Sequence, residues 1–457
     1  MFKKYKFSLI FGLLAGLSFP PLYFIVFLPI SLYYILNKTI DSQNKKEAFI
    51  YGLIFGFGYY LTQLYWISFA LLVDIKSFFW LMPFAISAIP LTCAFFIAFP
   101  FLLTYLVSQK TNNRLIISIG FSLFYVFFEY IRSFIFPWNF FSYTIGFSDT
   151  LPQFLAITNI YTFDFILIFF YCFLFILYKN KSFQNKKYIP IFILIPIFLF
   201  SFGYIRLKNA KITKPSKTFR MVQANIPQTL KWDRLETEKN LDKHFDLTLS
   251  DGFDDIDIVV WAESSIPDIL TDKSVLNGRF LQLKDKILIT GAIRGEVKNN
   301  TLDKIFNSIF IIQNGKILNY YDKSILVPFG EFIPFSKYLP FVKKITQGSM
   351  EFSKGSGNQT INIDGLKVSP IICYEVIFPN NIIDKNNRPD IIVNLTNDGW
   401  FGNSSGPYQH LIATKFRAIE NQLPIVRVSN SGITAYINEY GVITKKISLS
   451  KTGILDY

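Results

Sequence analysis

Two hydrophobic rhythms divide the chain. From residue 7 to about 205, apolar segments follow one another with short polar breaks, and the runs 49–73, 77–108, 115–136, 151–178 and 188–205 approach or exceed the ~20 residues a helix needs to cross a bilayer. Residues 7–36 are split by Pro20-Pro21 into two runs of about 14 residues, each short for a full crossing, which reads as a hairpin. After about residue 217 the rhythm shortens. Phe219–Asn225, Ile256–Trp261, Ile287–Ala292, Ser308–Gln313, Lys316–Tyr321, Leu366–Cys373, Ile391–Asn394 and Ile425–Val428 read as strands, and 233–249 and 406–421 as amphipathic helices. Several strands are apolar on both faces, so the sheet is expected to be covered on both sides, as in an α/β sandwich of roughly 230 residues. Residues 341–356 mix Phe341, Val342, Met350 and Phe352 with Lys and Gly, and read as a long mobile loop. The expected organisation is a polytopic α-helical membrane domain over 1–206 and an α/β domain over 217–457.

Composition supports the first half of that division. Hydrophobic residues make up 51% of the chain, and a positive mean hydropathy places part of it in lipid. The net charge of +14 raises the question of nucleic acid, but no nucleic-acid motif is present and the lysines gather at the ends of apolar segments. They read as topology signals and contacts with anionic headgroups. Lys3, Lys4 and Lys6, then Lys38, Lys45 and Lys46, then Lys110 and Arg114, then Lys179, Lys181, Lys186 and Lys187 mark alternate loops, whereas the others carry only Lys76. With a hairpin at Pro20-Pro21, all four clusters fall on the cytoplasmic side, which gives about seven spans and an extracytoplasmic C-terminal domain. Arg206, Lys208, Lys211, Lys214 and Lys217 then lie outside, which a long translocated domain tolerates. Six spans with a cytoplasmic domain is the alternative. The basic start resembles a signal peptide, but no small-residue cleavage site follows, so it reads as an uncleaved first span. Glu129 and Arg132, three apart on one helix face ahead of Phe136-Pro137-Trp138-Asn139, mark either a lined cavity or an ion pair that locks helices together.

The chemistry lies in the second half. The three cysteines, Cys93, Cys172 and Cys373, build no disulfide framework, and with only His244 and His410 present no metal-ligand spacing occurs, so neither a metal nor another cofactor is expected. Pro370-Ile371-Ile372-Cys373-Tyr374-Glu375 is an apolar run of strand length ending in a thiol, a phenol and a carboxylate. That is how a buried strand delivers a nucleophile to a pocket, and Cys373 is the candidate. Neither histidine is well placed as its base, and both read as structural. Glu263, after the strand Val259-Val260-Trp261, would take the thiol proton, and Lys323 in Tyr321-Asp322-Lys323 would favour the thiolate and then an oxyanion.

Glu263 in Trp-Ala-Glu-Ser, Lys323 eight residues before the Glu of Pro-Phe-Gly-Glu, and Cys373 in Cys-Tyr-Glu together resemble the Glu-Lys-Cys triad of the nitrilase superfamily. The preceding apolar region, with Tyr65-Trp66, Glu129-x-x-Arg132 and Phe136-Pro137-Trp138, resembles the bacterial apolipoprotein N-acyltransferase family. The resemblance implies an αββα nitrilase-like domain at the inner membrane and a ping-pong acyl transfer. Cys373 would take an acyl chain from the sn-1 ester of a phospholipid, typically phosphatidylethanolamine, as a thioester, and pass it to the α-amino group of a diacylglyceryl-cysteine apolipoprotein. It further implies that Glu331 and Glu375 are supporting carboxylates for Lys323 and the thiol, that Tyr374 shapes the pocket, and that Trp232 and Trp400 lie near the substrate entrance. Two positions depart from the family pattern: Ser142 stands before Tyr143 where Gly is usual, and the sequence stops at Tyr457 in a polar context where the family continues into a further span. The alternative is a membrane-tethered amidase of nitrilase type that uses water as acceptor, and a third reading is a catalytically dead lipoprotein-binding scaffold.

Overall fold

The computed structural model describes residues 2–457 apart from 180, 181, 184, 273, 277, 300, 335, 337–343 and 346–349; part of the loop expected over 341–356, with Phe341 and Val342, and Lys181 lie outside the described residues. The chain forms two units, Met1–Ser68 with Lys76–Ala210, and Phe69–Ile75 with Lys211–Tyr457.

The first unit is helical. α1 (Phe2–Gly16) and α2 (Phe27–Ile40) stand on either side of Pro20-Pro21. They are followed by α3 (Lys45–Leu64), α4 (Met82–Ser108), α5 (Arg114–Ser133), α6 (Ile160–Tyr171) and α7 (Ile189–Lys208). Side chains set several starts: Asn44 accepts from the Glu47 amide at 3.0 Å while Glu47 reaches back to the Gln43 amide at 3.1 Å. α1 and α3 pack backbone to backbone, since a Cβ on Gly12 would stand 2.1 Å from the Phe55 carbonyl oxygen. Among the described residues, Ile75–Ser108, Arg114–Ser133 and Lys186–Lys208 are long and apolar enough to cross a membrane. Phe84, Leu123, Phe127, Leu194 and Phe198 on them are exposed, a surface suited to lipid. The chain is a membrane protein.

Three apolar runs do not form single α-helices, that over 77–108 passing through a 3-10 turn at Phe79–Leu81 before α4. The run over 49–73 leaves the α-helix at Leu64, where the Trp66 indole N–H takes the Gln63 carbonyl at 2.7 Å, and continues as a tighter 3-10 turn, Tyr65–Leu72. The run over 151–178 breaks into a turn, Leu151–Ile157, then α6, which Asn159 caps by accepting from the Thr162 amide at 2.9 Å, then a short helix, Phe173–Leu177. Hydropathy registers burial in lipid but not these caps. The pair Glu129 and Arg132 is buried, 3.3 Å apart, and does more than join helices. Arg132 donates to the carbonyls of Phe136 at 2.6 Å and Trp138 at 2.9 Å, so it holds the chain as it leaves α5.

The second unit is a sandwich of two sheets. In chain order its main elements are β1 (Phe219–Gln223), α8 (Thr237–Thr248), β2 (Ile258–Trp261), β3 (Ile287–Lys298), β4 (Thr301–Gln313), β5 (Lys316–Asp322), β6 (Ile361–Ile363), β7 (Leu366–Ile372), β8 (Ile391–Thr396), α9 (Gly406–Asn421), β9 (Ile425–Ser429), β10 (Thr434–Ile437), β11 (Ile443–Ile447) and β12 (Gly453–Asp456). The first sheet runs β12-β1-β2-β3-β4-β5, and the second β11-β10-β9-β8-β7-β6. β1, β2 and β3 are mutually parallel, as are β7, β8 and β9, so Glu263, Cys373 and Asp398 all follow the C-terminal ends of parallel strands. Alternation assigns the faces. Met221, Ile258, Val260 and Ile289 from the first sheet meet Val368, Ile372, Val393 and Val428 from the second in one core. Val222, Val259, Trp261 and Leu288 turn the other way against Phe245 of α8. On the far face of the second sheet, Thr414 of α9 accepts from Arg427 of β9 at 3.1 Å. Both faces of each sheet are therefore occupied, which is why the strands are apolar throughout.

Four strands, β6, β10, β11 and β12, do not stand out in the sequence; β11 carries exposed Lys445 and Lys446, and β12 pairs with β1 from more than two hundred residues away. At the opposite end of β2 a glycine lets two strands approach: a Cβ on Gly291 would stand 2.3 Å from the Ser264 nitrogen and 2.7 Å from the Glu263 Cα. Gly291→Ala is therefore expected to cost about 1–3 kcal/mol of stability and to displace Glu263. Thermal unfolding of the purified protein checks this, and an unchanged midpoint would contradict the close approach.

Candidate active site

Glu263 stands two residues beyond β2, where Ser264 at φ 50° turns the chain, and Lys323 follows β5 directly. The Lys323 ammonium is 3.0 Å from Glu331 Oε1 and 3.7 Å from Glu263 Oε1, and only 1% of its side chain is exposed. Asn307, midway along β4, joins the two acids: its Nδ2 donates at 2.8 Å to Glu263 Oε1 and at 2.8 Å to Glu331 Oε1. The second oxygen of Glu331 accepts from the Val327 amide at 2.8 Å, which fixes the loop carrying it. Burial works against the Lys323 charge, but Glu331, Glu263, Cys373 and Glu375 outweigh it and hold its pKa above the ordinary lysine value.

Cys373 opens a 3-10 turn, Cys373–Ile377, and takes φ 47°, so the strand expected to include it stops at Ile372. A left-handed backbone at a residue with a Cβ is unfavourable and needs support from its surroundings. Glu375, fully buried, supplies part of that support. Its Oε2 accepts from the Ile372 amide at 2.7 Å, while Oε1 accepts from Tyr321 Oη at 2.8 Å, the Ser324 amide at 2.7 Å and the Ile325 amide at 3.2 Å. It thus ties the cysteine turn on one sheet to the chain following Lys323 on the other, rather than touching Lys323 itself. Burial raises the Glu375 carboxyl above its ordinary range, against these amides.

Burial pushes the Cys373 thiol up to about 12, Glu263 acts in the same direction, and Lys323 and Thr396 oppose them. The resting group is therefore a thiol, and a nucleophilic role requires a base at the moment of attack. Glu263 and Lys323 both lie within electrostatic reach of the sulfur.

The other candidates are placed less directly. Tyr374 is buried with its ring edge-on to Phe378 at 5.1 Å. Trp232 and Trp400 are half-buried, and among the described residues neither has a hydrogen bond or ring contact with Cys373, Glu263 or Lys323. Two participants escaped the sequence reading. Asn307 has as its signal only a polar position within the apolar run Ile305 to Ile312. Lys231 is buried and donates to the Glu263 carbonyl at 2.7 Å; burial lowers its pKa to about 8, with Glu263 and Cys373 resisting. His410, read as structural, has its Nε2 3.1 Å from the Cys373 carbonyl.

A carbon-nitrogen hydrolase domain is the class that this unit's fold and acid-lysine-cysteine grouping define, and the carbon-nitrogen hydrolase family model matches residues 220–457. The model of the apolipoprotein N-acyltransferase N-terminal domain matches residues 11–173. The apolipoprotein N-acyltransferase of Rickettsia prowazekii is 37% identical over 100% of this chain and 92% of its own length. That of Rickettsia bellii is 38% identical over 100% and 91%, and that of Rhodopseudomonas palustris 32% over 99% and 89%. The chain belongs to the apolipoprotein N-acyltransferase family.

Because the thiol is protonated at rest, alkylation of Cys373 by iodoacetamide is expected to rise about tenfold per pH unit between about pH 7 and 9, following the thiolate fraction. Mass spectrometry of the labelled peptide measures the rate. A plateau below pH 9 would mean that the cation beside the sulfur dominates over burial.

Proposed function

We propose that this chain is an apolipoprotein N-acyltransferase in which Glu263, Lys323 and Cys373 carry the chemistry. The observation that supports it most is full-length similarity to enzymes of that name, joined to a buried acid, ammonium and thiol in the carbon-nitrogen hydrolase unit. Glu263 removes the Sγ proton as sulfur attacks the sn-1 ester carbonyl of a phospholipid, with phosphatidylethanolamine the donor we favour. The oxyanion forms beside the Lys323 ammonium. Collapse breaks the ester C–O bond, and the departing lysophospholipid oxygen takes the proton from Glu263. The α-amino group of a diacylglyceryl-cysteine then attacks the thioester, Glu263 receives its proton, and cleavage of the C–S bond returns the thiol and an N-acylated lipoprotein. Glu331 and Asn307 keep Lys323 and Glu263 apart yet aligned, and Trp232, Trp400 and Tyr374 border the substrate path.

Incubation with phospholipid alone is expected to add one acyl mass to Cys373, and a diacylglyceryl peptide to remove it. Cys373→Ser should retain no more than a few per cent of transfer, and Glu263→Gln and Lys323→Met should each block adduct formation by at least about a hundredfold. An adduct forming at the normal rate in either variant would overturn the roles given. Discharge of the adduct by water as fast as by the peptide would make the protein an amidase-type hydrolase instead.

We further propose that the helical unit crosses the bacterial inner membrane seven times, with the second unit on the extracytoplasmic side. In a Cys373→Ser background, an impermeant thiol reagent applied to intact spheroplasts should label a cysteine substituted for exposed Asn299 and not one substituted for exposed Gln43. The reverse pattern would put the catalytic unit in the cytoplasm.

A further inference from the structure

The thiol-bearing residue is held from a side that the acyl-transfer steps do not use. His410 on α9 brings Nε2 to 3.1 Å from the Cys373 carbonyl, and a carbonyl only accepts, so Nε2 carries a proton. At the other end of the ring, Nδ1 lies 2.8 Å from Asp398 Oδ1 and 3.2 Å from the Arg427 guanidinium, so it either donates to the first or accepts from the second. Asp398 Oδ2 accepts from Arg427 at 2.7 Å, and the same guanidinium donates to Asn394 Oδ1 at 2.7 Å and to Thr414 Oγ1 at 3.1 Å. Asp398 Oδ1 also accepts from the Thr396 hydroxyl at 3.0 Å. Asp398 thus stands at one end of the ring whose other end meets the Cys373 carbonyl.

Asp398, His410 and Arg427 are all within 1% of complete burial. Burying an ion pair is no bargain for stability alone, since apolar side chains of similar volume fill such a space as well or better. The fold nevertheless makes room for it: a Cβ on Gly432 would stand 2.3 Å from Asp398 Oδ2. The group points at the strained residue, whose φ of 47° turns the carbonyl toward α9 and the side chain toward Glu263 and Lys323.

We propose that His410, oriented by Asp398 and Arg427, is a positioning residue that holds the Cys373 carbonyl and so keeps the thiol aimed at Glu263 and Lys323. The inference rests on Cys373 being the nucleophile, and two amide substitutions test it. His410→Gln sets its amide nitrogen near the position of Nε2, within reach of the Cys373 carbonyl, whereas His410→Asn sets its amide near Nδ1 and reaches only Asp398. In both variants Asp398 keeps the donors Arg427 and Thr396. His410→Asn is expected to slow formation of the acyl adduct about ten- to a hundredfold, with the phospholipid concentration for half-maximal rate unchanged, and His410→Gln to recover to within about threefold of wild type. Melting temperatures are recorded for both. The proposal is overturned if His410→Asn acylates as fast as His410→Gln, or if His410→Gln melts like wild type yet is as slow as His410→Asn. Iodoacetamide labelling of Cys373 is run on the same three proteins. A wild-type protein that alkylates but forms no phospholipid adduct overturns the acyl-enzyme reading alone, and the labelling rates then decide the role of His410 by the same comparison.

Discussion

An ammonium group buried with almost no access to water is the constraint around which the second unit is arranged. Lys323 retains its charge only because two carboxylates face it, at 3.0 and 3.7 Å, and those carboxylates avoid one another only because the Asn307 amide stands between them. Each partner comes from a separate part of the chain: Glu263 from the end of β2, Asn307 from the middle of β4, Glu331 from the loop after Lys323. Truncating any one of them leaves a buried charge exposed to a medium that does not solvate it. The close approach at Gly291 and the amide of Val327 on Glu331 follow from the same need to hold the set at contact distance.

The second sheet solves a different problem. Its task is to hold one residue in a backbone conformation that side chains disfavour, and the fold does so with carboxylates placed on both sides of it. Glu375 grips the amide that precedes Cys373 and reaches across the sandwich to Tyr321 and Ser324. Asp398 works through an intermediary, His410. Glu375 is thus a latch between sheets, and Asp398 a brace within one.

How much of this was legible in the sequence depended on whether the signal was local. The strand read over Ile391 to Asn394, which runs on to Thr396, and the helix over 406–421 follow from local pattern, and the acid, lysine and cysteine stand at strand ends where their types are conspicuous. The hairpin at Pro20-Pro21 is similarly local. Asn307 was not legible, because a single polar residue in a strand acquires meaning only when the neighbouring strands are known. Arg427, Asp398 and His410 are spread over thirty residues of sequence and converge only through the parallel register of β8 with β9 and the packing of α9 upon them. β12 pairs with β1 across the whole unit, and no local pattern marks such a partner. In the helical unit, hydropathy located the apolar runs but not their interruptions, which Trp66 as a donor and Asn159 as an acceptor decide.

The division of the site between two sheets also governs when in the life of the chain the thiol becomes dangerous. Cys373 belongs to one sheet, whereas Glu263, Asn307 and Lys323 belong to the other, and Glu375 spans the seam. A polypeptide emerging from synthesis carries the acid 110 residues and the ammonium 50 residues before the cysteine. Until the sheets close on each other, the base and the cation that the proposed mechanism needs, Glu263 and Lys323, do not stand at the sulfur. On the proposed roles, assisted acyl transfer is thereby confined to molecules whose two sheets have closed, whatever the bare thiol can do before then.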